Sequence, residues 1–388
     1  MRKFFFILVV FSNCIYAQNS YLHYQNDIGI HNNVYNYKTI KNSQGFWSDN
    51  YKQNLIDQLN DQNNISFKAN FMLKYVSKKE ISIALKHSMF AKTSYNKDLF
   101  KLVLFGNKPL AGEELYLSPF SLDYFRFSEI EAGFKLFKNI KLTSSFIIGH
   151  DFAKFNSEKT RFLTSINQEF IDYEVDLNGY YTNLNNDNYF KPNGLGGSFG
   201  FYYEKEKNGN YLLLAAKDIG FIIWNKNLNH LHIDTTDIFE GLEINNILNI
   251  DNENINNQID RIETSFKNSQ EKYLWRIPIT LSLFYYKKLN EKYINGISLN
   301  IKHKIEFFDS PYLSINLHKN INKNKWTLGY HVGGLENPGF QFSYHRKMKK
   351  IEIGLFTNQA NLFLSEEIYG LHIGLSIKKL FFKKNEGI

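Results

Sequence analysis

Apolar and polar residues alternate with a period of two along most of this 388-residue chain. Successive side chains of a strand point to opposite faces, so such alternation describes a strand with one apolar and one polar side. The plainest case sets Ile171, Tyr173, Val175, Leu177, Gly179 and Tyr181 against Asp172, Glu174, Asp176 and Asn178. The outer face of a soluble sandwich rarely carries so unbroken an apolar row opposite an acidic one. In a transmembrane barrel the apolar row faces lipid and the acidic row a wet lumen.

The signal recurs. From Gly194 to Trp224 two alternating stretches flank Asn208-Gly209, the strongest short-range mark of a hairpin. Further rows begin at Ile65, Ile81, Ile130, Leu142, Trp275, Tyr293, Leu313, Trp326, Phe340, Ile351 and Leu371. Counted together they predict about fourteen strands, an even number whose closure leaves no edge unpaired. The expected fold is therefore all-β, a transmembrane antiparallel β-barrel over residues 65–382 with a few short helices.

Three stretches depart from the alternation. Residues 18–64 are polar and Asn-rich, and are expected to form a lumen plug or a periplasmic arm. Within them Leu55, Ile56 and Leu59 share a helical face that Ser48 or Asp49 would cap. Residues 92–122 form a candidate lumen segment, with a helical turn at 97–105 led by Asp98. Residues 225–272 read as a long loop carrying an amphipathic helix at 255–266. One conflict follows: long connections after the second and seventh strands of this count cannot share a side.

The N-terminus reads as an export signal over residues 1–17, with Arg2 and Lys3, an apolar run from Phe4 to Phe11, and Ala17 before the cut. Asn13 fits lipoprotein processing at Cys14 poorly, so cleavage after Ala17 is expected, leaving a mature chain without cysteine. The longest apolar run, Leu212 to Trp224, is broken by Lys217 and Asp218 and does not read as a spanning helix. With 35 Phe and 25 Tyr, the composition suits a lipid face and interface girdles. The net charge of +8 lies in mixed-sign turns and forms no basic stripe, which argues against nucleic-acid binding.

The block from Gly194 to Trp224, with its Lys217-Asp218-Ile219-Gly220-Phe221-Ile222-Ile223-Trp224 ending, resembles a large family of exported Bacteroidota proteins grouped as a domain of unknown function. Gly106-Asn107 followed by Ala111-Gly112, the Phe239-Glu240-Gly241 step, and Tyr273 followed by Pro278 extend the resemblance over most of residues 50–380. It implies an outer-membrane barrel. The arrangement is more distantly similar to long-chain fatty-acid transporter barrels, which have fourteen strands and an N-terminal plug. This chain lacks their Asn-Pro-Ala triplet near the mature N-terminus, and no ligand residue carries over.

Candidate sites are few. Asp172, Glu174 and Asp176 are lumen candidates that would either set cation preference or pair with Lys302 and Lys304 across the lumen. Leu102 and Phe105 are constriction candidates, packed on the wall or on the N-terminal arm. Lys217-Asp218 would end a lipid-facing stretch, with Trp224 at the interface; the competing reading puts the pair on a ligand at the barrel mouth. Gly196, Ser198 and Gly200 match G-x-S-x-G, but a nucleophile elbow needs a strand, a sharp turn and a helix. Alternation continues through them, so the glycines are expected to permit close strand approach. His230, His232 and Asp234 would share a face of an extended chain, without a further ligand cluster. No enzyme activity, metal or cofactor is expected. The expected partners are outer-membrane lipid and a small hydrophobic solute. The reading is a plugged outer-membrane transporter; the alternative is a non-conducting scaffold for surface or secretion-associated assemblies.

Overall fold

The computed structural model describes residues 20–33, 47–182, 189–240, 267–289, 291–308, 310–363 and 369–381. The export signal and the helix expected at 255–266 lie outside them. No helix among the described residues is long and apolar enough to cross a membrane. The wall is built from strands.

The chain enters the wall at once. β1 (Ser20–Asn32) is followed by helix α1 (Asp49–Asp57), β2 (Gln62–Val76), β3 (Ser82–Asn96) and helix α2 (Lys97–Phe105). Next come β4 (Glu114–Tyr116), β5 (Phe120–Phe137), β6 (Ile140–Ser157), β7 (Thr160–Thr164) and β8 (Ile171–Thr182). The central hairpin is β9 (Gly194–Lys207) and β10 (Asn210–Phe239). The rest is β11 (Lys267–Arg276), β12 (Thr280–Lys288), β13 (Gly296–Lys304), β14 (Tyr312–Ile321), β15 (Asn324–Val332), β16 (Gly339–Met348), β17 (Ile351–Thr357) and β18 (Gly370–Phe381).

All pairs are antiparallel, and β1 pairs with both β2 and β18, closing a ring. β8 and β9 run along the same side of β6 and β10 and share one position in the wall. β11 and β12 share another along β10. β4 and β7 extend a sheet beyond the rim rather than joining the ring. The ring among the described residues therefore has fourteen positions, filled by sixteen of the eighteen strands, whereas the alternation predicts about fourteen strands in all. The membership differs. Residues 20–32 are wall, not plug or arm: Ile28 and Ile30 face outward while Gln25 and Asp27 line the lumen. The row at Ile171 is no separate position, which removes the conflict over loop sides. The connections at 77–81, 138–139, 208–209, 322–323 and 349–350 all lie at one end, with both ends of the wall. Periplasmic turns are short, so this end faces the periplasm.

The facing agrees with a lipid-exposed exterior. Ile297, Leu299 and Ile301 stand in register with Leu317, Ile315 and Leu313, and Ile315 is 53% exposed, whereas Ser298 and Ser314 inside are 1% exposed. A closed ring with an apolar outer band pairs its strand edges internally, the condition a membrane imposes. The protein is an outer-membrane-type β-barrel.

Two departures from strict alternation matter for the interior. Asp218 adopts φ +65° in a bulge between Ala216 and Ile219. An extra residue inverts strand parity, so Lys217 and Asp218 both line the lumen, and beyond them Ile222 and Trp224 point inward. The break at 277–279, which contains Pro278, separates inward Trp275 and Ile277 from outward Leu281. Trp224 is thus not an interface residue. It is fully buried in the lumen, where a Cβ on Gly149 or Gly194 would come within 2.7 or 2.9 Å of its ring. Residues 225–239, expected as loop, continue β10, which pairs with β8 from Leu228 to Phe239.

Candidate functional site

The strand irregularities bring aromatic rings to one level of the lumen. Phe90 of β3 meets Phe307, which follows β13 on the far side of the ring, with ring centroids 3.9 Å apart. Phe125 of β5 meets Trp275 of β11 at 4.7 Å, and Phe152 meets Trp224 at 5.0 Å. Phe127, Ile147, Ile222, Leu228 and Ile277 complete the layer. Contacts between opposite walls mean that the lumen is closed there. Such packing is cohesive, since each buried aromatic removes a large apolar area from water and offset ring pairs add to it.

Below this layer lies a cavity of about 530 Å³. Phe90, Phe125, Phe307 and Phe308 form its roof, and Lys68, Lys86, Lys217, Lys302 and Lys304 project into it. Two of these lysines are engaged. Lys86 reaches Glu131 at 2.5 Å and Glu129 at 3.5 Å, and Lys68 pairs with Glu336. Lys217, Lys302 and Lys304 take part in no ion pair among the described residues. Lys304 instead stands 4.9 Å from the Phe307 ring centre. Asp218, the acid beside them, accepts a hydrogen bond from Thr280 Oγ1 at 2.7 Å. The cavity therefore joins an aromatic roof to a cationic wall.

The loop between β15 and β16 closes the same mouth from the other side. Gly333 and Gly334 both take positive φ and carry the chain inward, so that Leu335 packs on the aromatic layer and Glu336 lines the cavity. Beyond Lys68, Glu336 lies 3.5 Å from His31 Nε2 and 3.6 Å from His331 Nε2. Asn337 Nδ2 donates to the Asn32 carbonyl at 2.8 Å, tying the loop to β1. Burial pushes the Glu336 carboxyl up, but Lys68, His31 and His372 outweigh it and hold it down at about 2. A depressed carboxyl stabilises fully above its ordinary range and loses that contribution progressively as pH falls from there through its folded value. The loop should therefore stay docked at neutral pH and loosen progressively as pH falls from 4.5 to about 2. Glu336→Gln should release it at neutral pH at a cost of about 1–3 kcal/mol, because buried partners are left unsatisfied. Limited proteolysis over residues 333–338 reads this directly. Resistance equal to the parent would show that Glu336 does not hold the loop.

The residues singled out in the sequence fall differently. Lys302 and Lys304 line the lumen. Asp172 and Glu174 do not meet them: Arg161 Nη2 contacts both Asp172 oxygens at 3.0 Å, and its Nε lies 4.0 Å from Glu174. These acids, with Asp176, sit on β8 where it runs past the end of β6 at the rim, opposite β7 and the far part of β10. Leu102 and Phe105 do not form the constriction. α1 and α2 pack on the outside of the rim, where Ile56, Leu59, Leu99, Phe100, Leu104 and Phe105 cover outward-facing Ile65, Tyr95 and Phe120. The segment is apolar because it lies on an apolar exterior. Asn96, not Asp98, caps α2, accepting from Leu99 N at 2.9 Å, and Ser48 caps α1.

A Cβ on Gly196 would run into the Phe221 carbonyl oxygen, so this glycine serves close strand approach, and Ser198 is buried within β9. His230 Nε2 donates to Asn178 Oδ1 (2.9 Å), and the ring stacks on Tyr180 (4.3 Å). Among the described residues, no group of three or more His, Cys, Asp or Glu has metal-holding geometry.

The profile of the family described as a family of unknown function (DUF5723) matches residues 3–358. The chain belongs to this family. No curated protein matches this DUF5723 chain. Among solved structures it is similar to the P. putida toluene transporter TodX, at 10% identity and TM-score 0.42, over 94% of this chain and 91% of that one. A Pseudomonas aeruginosa FadL homologue is similar at 10% identity and TM-score 0.42, over 94% and 89%. The translocator domain of the autotransporter NalP from Neisseria meningitidis follows at 8% and 0.30, over 97% and 93%. Likenesses this low assign neither substrate nor mechanism to this DUF5723 protein.

Proposed function

We propose that this protein is a gated transport barrel for small solutes that combine an apolar body with an anionic group. The observation that carries the reading is the cavity itself: three lysines that form no ion pair among the described residues converge on a space roofed by Phe90, Phe125, Phe307 and Phe308. Three confined cations that outnumber the one acid beside them, Asp218, favour an anion, because much of their desolvation is otherwise uncompensated. The aromatic roof offers the rest of such a solute an apolar surface. A barrel serving only as a scaffold has no need to keep this space unfilled.

The layer of touching rings supports a closed resting state, and the wall is discontinuous at the same level. β8 gives way to β9 there. Backbone bonds from Asn193 N to the Gly149 carbonyl and from Asn225 N to the Asn193 carbonyl, both 2.8 Å, carry the β9 ladder to the junction, and side chains bridge its edges. Thr182 Oγ1 accepts from Phe152 N at 3.0 Å, and Asn193 Nδ2 donates to the His150 carbonyl at 2.6 Å. The reading holds that solute passes once this layer rearranges.

Intact protein is expected to show negligible conductance in planar bilayers. Quenching of tryptophan fluorescence should report tighter binding of an alkyl carboxylate than of the alcohol of equal length. Lys302→Gln/Lys304→Gln should reduce that preference by roughly tenfold, about 1.4 kcal/mol. A wide, steady pore in the intact protein, or equal affinity for acid and alcohol, would overturn the proposal. Silence under every condition, with the barrel shown to be folded, would favour the scaffold.

A further inference from the structure

The basic surplus is less dispersed than the mixed turns of the sequence imply. At the short-turn end, the β14–β15 and β16–β17 turns bring Lys323, Arg346, Lys347, Lys349 and Lys350 around one recess of about 560 Å³. None of the ion pairs among the described residues involves these five side chains. Glu352, the nearest acid along the chain, belongs to the lumen side, where it meets Lys325 at 3.3 Å and His345 at 3.7 Å.

The position of this recess decides what it can hold. On the outer wall Trp326 of β15 lies against Tyr344 of β16 with centroids 4.4 Å apart, and Tyr344 Oη donates to Asn324 Oδ1 at 2.9 Å. Amphipathic rings of this kind mark the headgroup level of a membrane protein. Arg346 is two residues further towards the turn on the same outward face, in register with Asn324. Met348 and Ile351, paired across the hairpin and 42% and 37% exposed, give the recess an apolar floor continuous with the lipid face.

We infer that this recess binds the headgroup phosphate of an anionic phospholipid in the periplasmic leaflet, with the first part of an acyl chain on Met348 and Ile351. Juxtaposed lysines and arginine at a bilayer surface attract anionic lipid. An apolar floor beside them suits a lipid better than a free ion. The site lies outside the lumen and does not depend on transport.

Native mass spectrometry of the full chain, released from micelles doped equally with phosphatidylglycerol and phosphatidylcholine, tests this. Phosphatidylglycerol should be retained roughly tenfold over phosphatidylcholine. Arg346→Gln/Lys349→Gln/Lys350→Gln should abolish that preference, whereas Lys78→Gln/Lys79→Gln, at another turn of the same end, should leave it intact. Folding is checked by heat-modifiable mobility on a gel. Should the triple variant fail that check, single changes at Lys349 and Lys350, both in a two-residue turn, carry the same comparison. Equal retention of the two lipids, equal loss in both variants, or displacement of phosphatidylglycerol by inorganic phosphate would overturn the inference.

Discussion

Trp224→Ala, combined with Phe307→Ala, should turn a silent barrel into a conducting one. Trp224 is fully buried between Gly149 and Gly194 and packs on Phe152, while Phe307 reaches across the lumen to Phe90 and Phe125. Removing both rings breaks the Phe90–Phe307 and Phe152–Trp224 contacts and leaves Phe125 on Trp275 within that layer. Loss of a buried large aromatic costs about 3–5 kcal/mol where neighbours cannot collapse into the void, and here the neighbours are anchored to separate strands. Urea titration in detergent, followed by the heat-modifiable gel shift, should show that loss for Trp224→Ala alone. Deleting residues 97–107 should not open the pore, since that segment covers the outer rim. A closed double variant with the folded gel mobility would refute the aromatic layer as the barrier.

Arginine at Leu299 should cost about 2–4 kcal/mol, and arginine at the adjacent Asn300 far less. Leu299 lies between Tyr285 and Ile315 near the middle of β13, on the lipid-facing side. A guanidinium there must be buried in hydrocarbon or distort the bilayer. Asn300 lines the polar cavity, so a guanidinium there stays out of the hydrocarbon. Refolding yields of the two variants into lipid vesicles provide the measurement. Equal tolerance would contradict the facing of β13.

Local pattern alone was enough for the wall. Because side chains repeat every two residues, a row such as Ile297, Leu299 and Ile301 declares its face before any partner is known. The same reasoning found the Asn208-Gly209 hairpin, the helix led by Ser48 and the helical turn at 97–105, whose cap it placed on Asp98 instead of Asn96. It missed β1, because Asn26 interrupts the row of Leu22, Tyr24, Ile28 and Ile30 and the intervening residues are polar. It also read apolar residues 97–105 as buried, when the exterior of a membrane barrel is itself apolar.

The interior was decided only by tertiary structure. One extra residue at Asp218 inverts the parity of everything after it, and nothing in the local sequence announces the bulge. The break at Pro278 does the same for Trp275 and Ile277. Rings that alternation assigns to lipid or interface thereby turn inward and meet across the lumen. Glu336 could not be placed from sequence either, since its partners Lys68 and His31 lie some three hundred residues away and meet it only when β1 closes the ring. Periodicity specifies which residues share a face; closure and bulges specify which faces meet, and the candidate site is made of such meetings.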